Sequence, residues 1–335
     1  MSKFSSKGWC YTRYGPVSRV LKMDSFDLLS NKDEVIVDVG MAALHRTDAA
    51  VVNGTALSKR RVSLSSFPRV GGSEGVGRVL SAGASKNVRD GDTVWVAPIH
   101  GTWATRIAVN HNMVHKIEPK FAELAVYASN FLVAQHLLNG FTRLRKGQFI
   151  LQNGGSSMTS LAVSALAKTC GVKVLTASTP GERFYGAKER HAKYGSEVFE
   201  YNGKGARAMR QAMGNVGAAL YINGVGGRFF DTFLGLLGSG GHVVSYGAQN
   251  GVGLMVSGSN LIYNEVTMQG LFFPSYLETL SYNERQTQLE FVLAQLLSLG
   301  FSYPTVSASS LGELPNVWDQ VFVQGGKKGM LVLNR

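Results

Sequence analysis

Residues Phe149-Ile150-Leu151-Gln152-Asn153-Gly154-Gly155-Ser156-Ser157-Met158-Thr159-Ser160-Leu161-Ala162 read as a strand, a tight turn and the start of a helix. A dinucleotide-binding turn of this form needs glycine for two reasons. One position adopts a backbone conformation closed to other residues, and another lets a pyrophosphate approach main-chain N–H groups at the helix N-terminus. Here Met158 and Ser160 stand where such a turn uses glycine, and a Met side chain there is expected to occupy phosphate space.

Outward from the turn, short apolar runs alternate with helical stretches. Candidate strands are Phe149–Gln152, Lys173–Ala177, Glu197–Phe199, Ala219–Asn223, His242–Tyr246 and Thr267–Leu271, and candidate helices are Ser160–Cys170, Gly205–Met213 and Phe229–Leu237. Strand and helix in turn at this spacing are the signature of a doubly wound parallel sheet. The first third differs: Glu34 to Gly40 and Val76 to Val96 carry β-branched runs broken by Gly and Asp, as in antiparallel structure closed by turns. Ala122 to Gly140 is the first long helical stretch. Beyond Phe273 a helix over Asn283–Leu299 precedes a short strand ending in Met330-Leu331-Val332-Leu333.

The 335 residues suit two domains, and 44% hydrophobic content supplies a packed core. Cys10 and Cys170 are the only cysteines, which excludes a disulfide framework or a Cys-rich zinc lobe and favours a reducing compartment. No run approaches the roughly 20 apolar residues that cross a bilayer, so a soluble chain without a membrane span is expected. A net charge of +12, from 34 basic and 22 acidic residues, favours phosphate-rich partners or basic matrix surroundings. Before Asp24 the chain carries Lys3, Lys7, Arg13, Arg19 and Lys22 with several serines and no acid, a composition resembling a mitochondrial targeting segment. Gly8, Gly15 and Pro16 fit an ordinary basic first strand equally well.

Three stretches, Phe67-Pro68-Arg69-Val70-Gly71-Gly72-Ser73-Glu74-Gly75-Val76-Gly77, Gly91-Asp92-Thr93-Val94 and Gly101-Thr102-Trp103-Ala104-Thr105, carry a family resemblance. With Ile222-Asn223-Gly224-Val225-Gly226-Gly227 and Gly241-His242-Val243-Val244-Ser245-Tyr246-Gly247, they make the chain similar to the medium-chain dehydrogenase/reductase superfamily, in its mitochondrial trans-2-enoyl-CoA (enoyl thioester) reductase branch. The resemblance implies an α/β fold: a GroES-like β-rich catalytic-type domain over residues 1–124 and 274–335, and a Rossmann doubly wound parallel sheet over 125–273. It also implies a homodimer formed through the nucleotide folds.

That branch reduces a 2-enoyl thioester with NADPH and needs no metal. Ser73 replaces the histidine of the zinc enzymes' Gly-His-Glu element, so no metal site is expected. His45, three residues before Asp48, fits either a metal pair or, more ordinarily, a polar loop histidine. The branch's donor is a tyrosine after an Asn-Pro-x-Asp motif, and laying Leu44 to Ala56 on that pattern puts Ala56 in its place. No intact catalytic residue is then expected, with Tyr11 and Tyr14 the alternative donors. A positioned acid contributes about 10²- to 10⁴-fold, so Ala56 alone predicts severe loss.

The resemblance also places cofactor contacts, as remnants, at Asn130, Asn153, Gly154, Gly155, Gly247 and Lys328. The arginine that meets the NADPH 2′-phosphate falls in Ala177-Ser178-Thr179-Pro180-Gly181-Glu182 and is missing, although Arg183 could reach back; Val133 replaces a threonine near the nicotinamide. The expectation is no NADPH binding, or weak binding. Gly71 to Gly77 lacks the Lys-Ser/Thr of a phosphate loop and reads as a turn.

Lys59-Arg60-Arg61 follows the missing tyrosine as a candidate phosphate or partner contact, joined by Arg143-Arg145-Lys146, Lys188-Arg190-Lys193, Lys204-Arg207-Arg210 and Lys327-Lys328. If these clusters share a face they suit a nucleic-acid backbone; singly, each is solvated surface charge. The leading expectation is a pseudoenzyme: a structural or assembly subunit of a mitochondrial matrix complex such as a ribonucleoprotein. The alternative is an active NADPH-dependent reductase of enoyl thioesters or quinone-like enones, using a relocated acid.

Overall fold

A computed structural model describes residues 3–29, 31–55, 67–96, 98, 101–248 and 253–333. Ala56, Lys59, Arg60 and Arg61 lie outside the described residues. The chain divides into two compact units: Met1–Ser129, Tyr282–Ala294 and Ser302–Arg335 form one, and Asn130–Ser281 with Gln295–Phe301 form the other.

The first unit opens with strands β1 (Lys3–Tyr11), β2 (Lys22–Leu29), β3 (Glu34–Leu44), β4 (Arg69–Val70), β5 (Gly75–Ser81), β6 (Thr93–Val96), β7 (Arg106–Asn110) and β8 (Val114–Lys116). Strands β2, β1 and β4 make a three-stranded antiparallel sheet. A larger sheet is built around β3, which pairs antiparallel with both β5 and β7. Its core contains Val35, Val37, Val94, Trp103 and Leu331. The two glycine motifs read from the sequence meet here. A Cβ on Gly71 or Gly72 would stand 2.5 Å from the Trp103 ring, and the Trp103 indole N–H donates to the Ala43 carbonyl at 2.9 Å.

The second unit contains β9 (Phe149–Gln152), β10 (Lys173–Ser178), β11 (Glu197–Glu200), β12 (Ala218–Asn223), β13 (Leu237–Ser245) and β14 (Thr267–Gly270). Their order is β11-β10-β9-β12-β13-β14 and every pair is parallel, the Rossmann arrangement. One of its helices is clearly amphipathic. In Gly203–Met213, Ala206, Met209 and Met213 are buried while Lys204, Arg207 and Arg210 face solvent, as a 3.6-residue period requires.

The first unit is completed by β15 (Thr305–Ala308) and β16 (Lys328–Val332), which returns to pair antiparallel with β3.

Two expected elements differ. The stretch expected as helix Phe229–Leu237 holds only Phe230–Leu234, and Leu237 already begins β13. Gly217 and Gly238 approach so closely that a Cβ on Gly217 would lie 2.3 Å from the Gly238 nitrogen, so glycine lets the strand pair start early. The stretch from Ala122 to Gly140 is two helices, Ala122–Ala125 and Ala128–Asn139, with the Tyr127 amide bonding back to the Leu124 carbonyl in a tighter turn.

Candidate functional site

The turn after β9 keeps the glycines that geometry demands. Gly154 has φ +70, in the left-handed region, where a side chain is strained. A Cβ on Gly155 would meet Thr176 Cγ2 at 2.6 Å and the Ala177 carbonyl oxygen at 3.1 Å, so this residue lets β9 and β10 run side by side. Ser157 caps the Met158–Thr169 helix by accepting from the Ser160 amide at 3.1 Å. The Ser160 hydroxyl turns back to the carbonyls of Gly154 and Ser157, 3.0 Å from each.

The expectation about Met158 is corrected. It is the first residue of the helix and only 2% exposed, so its side chain packs in the core and does not project into solvent at the helix N-terminus. The amides of Met158 and Thr159 find no acceptor among the described residues, and they are the N–H groups a helix N-terminus offers to an anion.

Asn153, expected as a cofactor contact, is fully engaged inside the protein. Its carboxamide oxygen accepts from the amides of Gly224 and Val225, and its nitrogen donates to the Tyr221 hydroxyl and Asn223 Oδ1 at 2.8 and 2.7 Å. It shapes the loops and has no bond left for a ligand. Gly247 has a comparable task, since a Cβ there would stand 2.7 Å from the Gly224 carbonyl oxygen. Tyr246 lies over Gly224 and bonds Ser157, which ties the end of β13 to the turn.

Asn130 Nδ2 donates to Thr159 Oγ1 at 2.9 Å, while Asn130 Oδ1 is buried without a partner. The Ser178 hydroxyl at the end of β10 is likewise buried and unpartnered. Orphaned polar atoms at such positions have the character of ligand contacts. Thr179, Pro180, Gly181, Glu182 and Arg183 are exposed, and Arg183 is already engaged.

Beneath the turn lies a polar layer that the sequence reading missed. His191 Nε2 donates to the Gly155 carbonyl at 2.8 Å, and its Nδ1 lies 2.8 Å from Ser164 Oγ. Burial holds the His191 pKa down at about 4, against the Gly155 bond that raises it.

The first unit contains a second constellation. Glu74 is 1% exposed and both its oxygens are used: Oε1 meets His45 Nε2 at 2.6 Å, while Oε2 accepts from the Trp95 indole and from the Ser129 amide and hydroxyl. His45 Nδ1 lies 2.9 Å from Lys328 Nζ. An ammonium can only donate, so Nδ1 accepts and the imidazole proton sits on Nε2, facing Glu74. Asp48 closes the group by accepting from the His45 amide at 2.6 Å. Burial pulls the Lys328 ammonium down to about 8, opposed by the charges of Glu74 and Asp48. Lys328 therefore turns inward and is no part of a surface cluster. Glu74 lies in a segment that reads as a turn and as the counterpart of the zinc enzymes' Gly-His-Glu element, with no role assigned to the acid itself; an acid enclosed by glycines in a β-rich region was the available signal.

No group of three or more His, Cys, Asp or Glu among the described residues is placed to hold a metal. His45 is committed to Lys328 and Glu74, and Ser73 is no zinc ligand. A cavity of about 430 Å³ lined by Phe141, Arg143, Ala167 and Val172 opens beside the residues leading into β9 and β10. Ligands of this fold bind at the opposite, carboxyl ends of the strands, so this cavity is not the dinucleotide site.

The basic clusters separate. The Glu182–Ala192 helix packs beside Met158–Thr169, whereas Gly203–Met213 packs beside Phe230–Leu234. Right-handed crossovers put these pairs on opposite faces of the sheet. Lys188-Arg190-Lys193 and Lys204-Arg207-Arg210 therefore do not share a face.

The family model described as alcohol dehydrogenase GroES-like domain matches residues 31–135, and that described as zinc-binding dehydrogenase matches 159–293. The mitochondrial enoyl-[acyl-carrier-protein] reductase of Arabidopsis thaliana is 27% identical over 299 residues, covering 86% of this chain and 77% of that protein. The Etr1p/NADP/crotonyl-CoA complex superposes with TM-score 0.84 at 19% identity, over 98% of this chain and 100% of that one. Etr1p is also known as a 2-enoyl thioester reductase heterodimer with Etr2p from Candida tropicalis. A mycobacterial quinone oxidoreductase has the same fold, with TM-score 0.83 at 19% identity over 98% of this chain and all of its own.

Proposed function

On the premise that this chain belongs to the medium-chain dehydrogenase/reductase superfamily, we propose that it is a zinc-free, nicotinamide-dependent reductase of enoyl thioesters or quinone-like enones. The observation that carries this reading is the burial of Met158 in the core together with the Met158 and Thr159 amides, which have no acceptor among the described residues. Gly154, Gly155 and the Met158 and Thr159 amides would hold the pyrophosphate, and Asn130 Oδ1 would accept from a carboxamide. The nicotinamide, when bound, supplies hydride. Lys328 is the candidate relocated acid: its ammonium holds a proton that His45 and Glu74 keep in place.

The end of β10 favours a ribose hydroxyl over a 2′-phosphate. The orphaned Ser178 hydroxyl can bond a diol, whereas Glu182 repels phosphate and no unengaged cation is present among residues 177–183. NADH is therefore expected to bind at least as well as NADPH. Titration of both cofactors, followed by turnover of crotonyl-CoA, tests the reading. Micromolar dinucleotide affinity with turnover supports it, and absence of binding sinks it.

The second reading, a non-catalytic assembly subunit, is favoured by the solvent-facing Lys204, Arg207 and Arg210 on one helix, together with the loss of the family tyrosine at Ala56. Co-migration with an RNA-containing mitochondrial complex that dissociates with salt would support it. The basic, acid-free N-terminus and the mitochondrial relatives favour the mitochondrial matrix in either case. A homodimer is supported by β14, exposed along its length, beside Met255, Ile262, Tyr263 and Phe272, which are 76%, 71%, 82% and 47% exposed. An open strand edge with apolar flanks is a template for pairing. No helix among the described residues is long and apolar enough to cross a membrane.

A further inference from the structure

Arg69 and Tyr11 oppose one another across the antiparallel β1–β4 pair, so their side chains rise from one face of the sheet. They are 5% and 2% exposed. Arg69 Nε and Nη1 are buried without a hydrogen-bond partner, and no carboxylate among the described residues comes within 4.0 Å of this guanidinium. The Tyr11 hydroxyl has no partner among the described residues either. Burial raises the Tyr11 phenol pKa and the Arg69 charge lowers it, which places the two groups in each other's field.

A buried lysine can escape such a position by losing its proton, but an arginine cannot. A guanidinium with two of its three nitrogens removed from water and no anion beside it is costly in a folded protein. Aromatic rings cluster beside Tyr11. Phe67 stacks edge-on against Tyr11 and Tyr14, with centroids 5.8 and 5.1 Å apart. Tyr14 in turn covers Gly54, where a Cβ would stand 2.9 Å from the ring. Gly54 is two residues before Ala56.

We propose that Arg69 and Tyr11 form a binding site for the oxyanion of a small acyl compound, with Tyr11, Phe67 and Tyr14 receiving its carbon skeleton. The guanidinium supplies charge-assisted donors and the phenol supplies one more. The rings account for a carboxylate on a short chain rather than a bare inorganic anion. The site does not depend on the reductase reading, because it binds without a dinucleotide.

The test is thermal unfolding of the full chain with crotonate, phosphate or chloride at equal ionic strength, without cofactor. Crotonate is expected to raise the melting temperature more than phosphate or chloride. Arg69→Met should unfold at the same or a higher temperature than the wild type without ligand, since it removes an uncompensated buried charge, and should lose the crotonate response. Tyr11→Phe should keep its melting temperature and bind crotonate on the order of three- to tenfold more weakly. The proposal is overturned if the wild type is indifferent to crotonate, if phosphate acts as strongly, or if Tyr11→Phe binds crotonate as the wild type does. An Arg69→Met protein that unfolds at lower temperature yet retains the crotonate response also overturns it.

Discussion

The ammonium of Lys328 lies 2.9 Å from Nδ1 of His45, although 283 residues separate them in the chain. The far side of the same imidazole meets Glu74 at 2.6 Å. A half-buried cation, a histidine and a buried carboxylate are thereby joined in one line, with Asp48 holding the histidine backbone.

If Lys328 supplies a proton, Lys328→Met should lower kcat by about 10²- to 10⁴-fold while dinucleotide affinity stays unchanged. The acid form of a group titrating at about 8 is lost as pH rises through that value. Activity should be level below pH 8 and decline above it. Steady-state rates across pH check this; a profile unchanged by His45→Asn would remove the relay.

The turn predicts opposite effects for neighbouring substitutions. Gly155→Val should destabilise the protein by about 2 kcal/mol or more, because its Cβ meets Thr176 and the Ala177 carbonyl. Met158→Gly should not improve dinucleotide affinity. It should instead cost about 2 to 4 kcal/mol, as loss of a buried side chain and a glycine in a helix both act against folding. Urea unfolding alongside cofactor titration separates these effects.

The cofactor preference should be reversible at the end of β10. Glu182→Arg is expected to raise NADPH affinity by about tenfold, with little effect on NADH, by replacing a repelling charge with an attracting one. Paired titrations of the two dinucleotides measure it.

Stability should fall in acid through His191. Its folded pKa of about 4 lies below the ordinary value of 6.5, so the unfolded state binds the proton more readily. The stability present above pH 6.5 is therefore lost as pH falls toward 4. The loss is on the order of 3 kcal/mol. His115, also held near 4 by burial, adds to the same window. Denaturant midpoints between pH 7 and 4 test this, and His191→Gln should flatten the dependence.

Much of the second unit was legible in the sequence. Phe149–Gln152 coincides with β9, and the other five strands of that sheet were located, with Leu237–Ser245 longer than expected. Parallel strands buried on both faces, as β9, β10 and β12 nearly are, leave short continuous apolar runs, which survive reading without tertiary information. The site was less legible. Gly154 and Gly155 were identified as survivors, and their conformations explain why. Asn153 was assigned to a ligand although its four hydrogen bonds go to the protein. Glu74, His191 and Ser178 were passed over because burial and orphaned atoms depend on what packs against them.

The sequence by itself determined the two-part α/β architecture and the position of the β9 turn, since hydrophobic period and glycine spacing are local properties of the backbone. Only the tertiary structure decided that Met158 points into the core, that the basic helices flank opposite faces of a sheet, and that Lys328 reaches His45. Each of those facts is a contact or a direction in space, set by residues far apart along the chain.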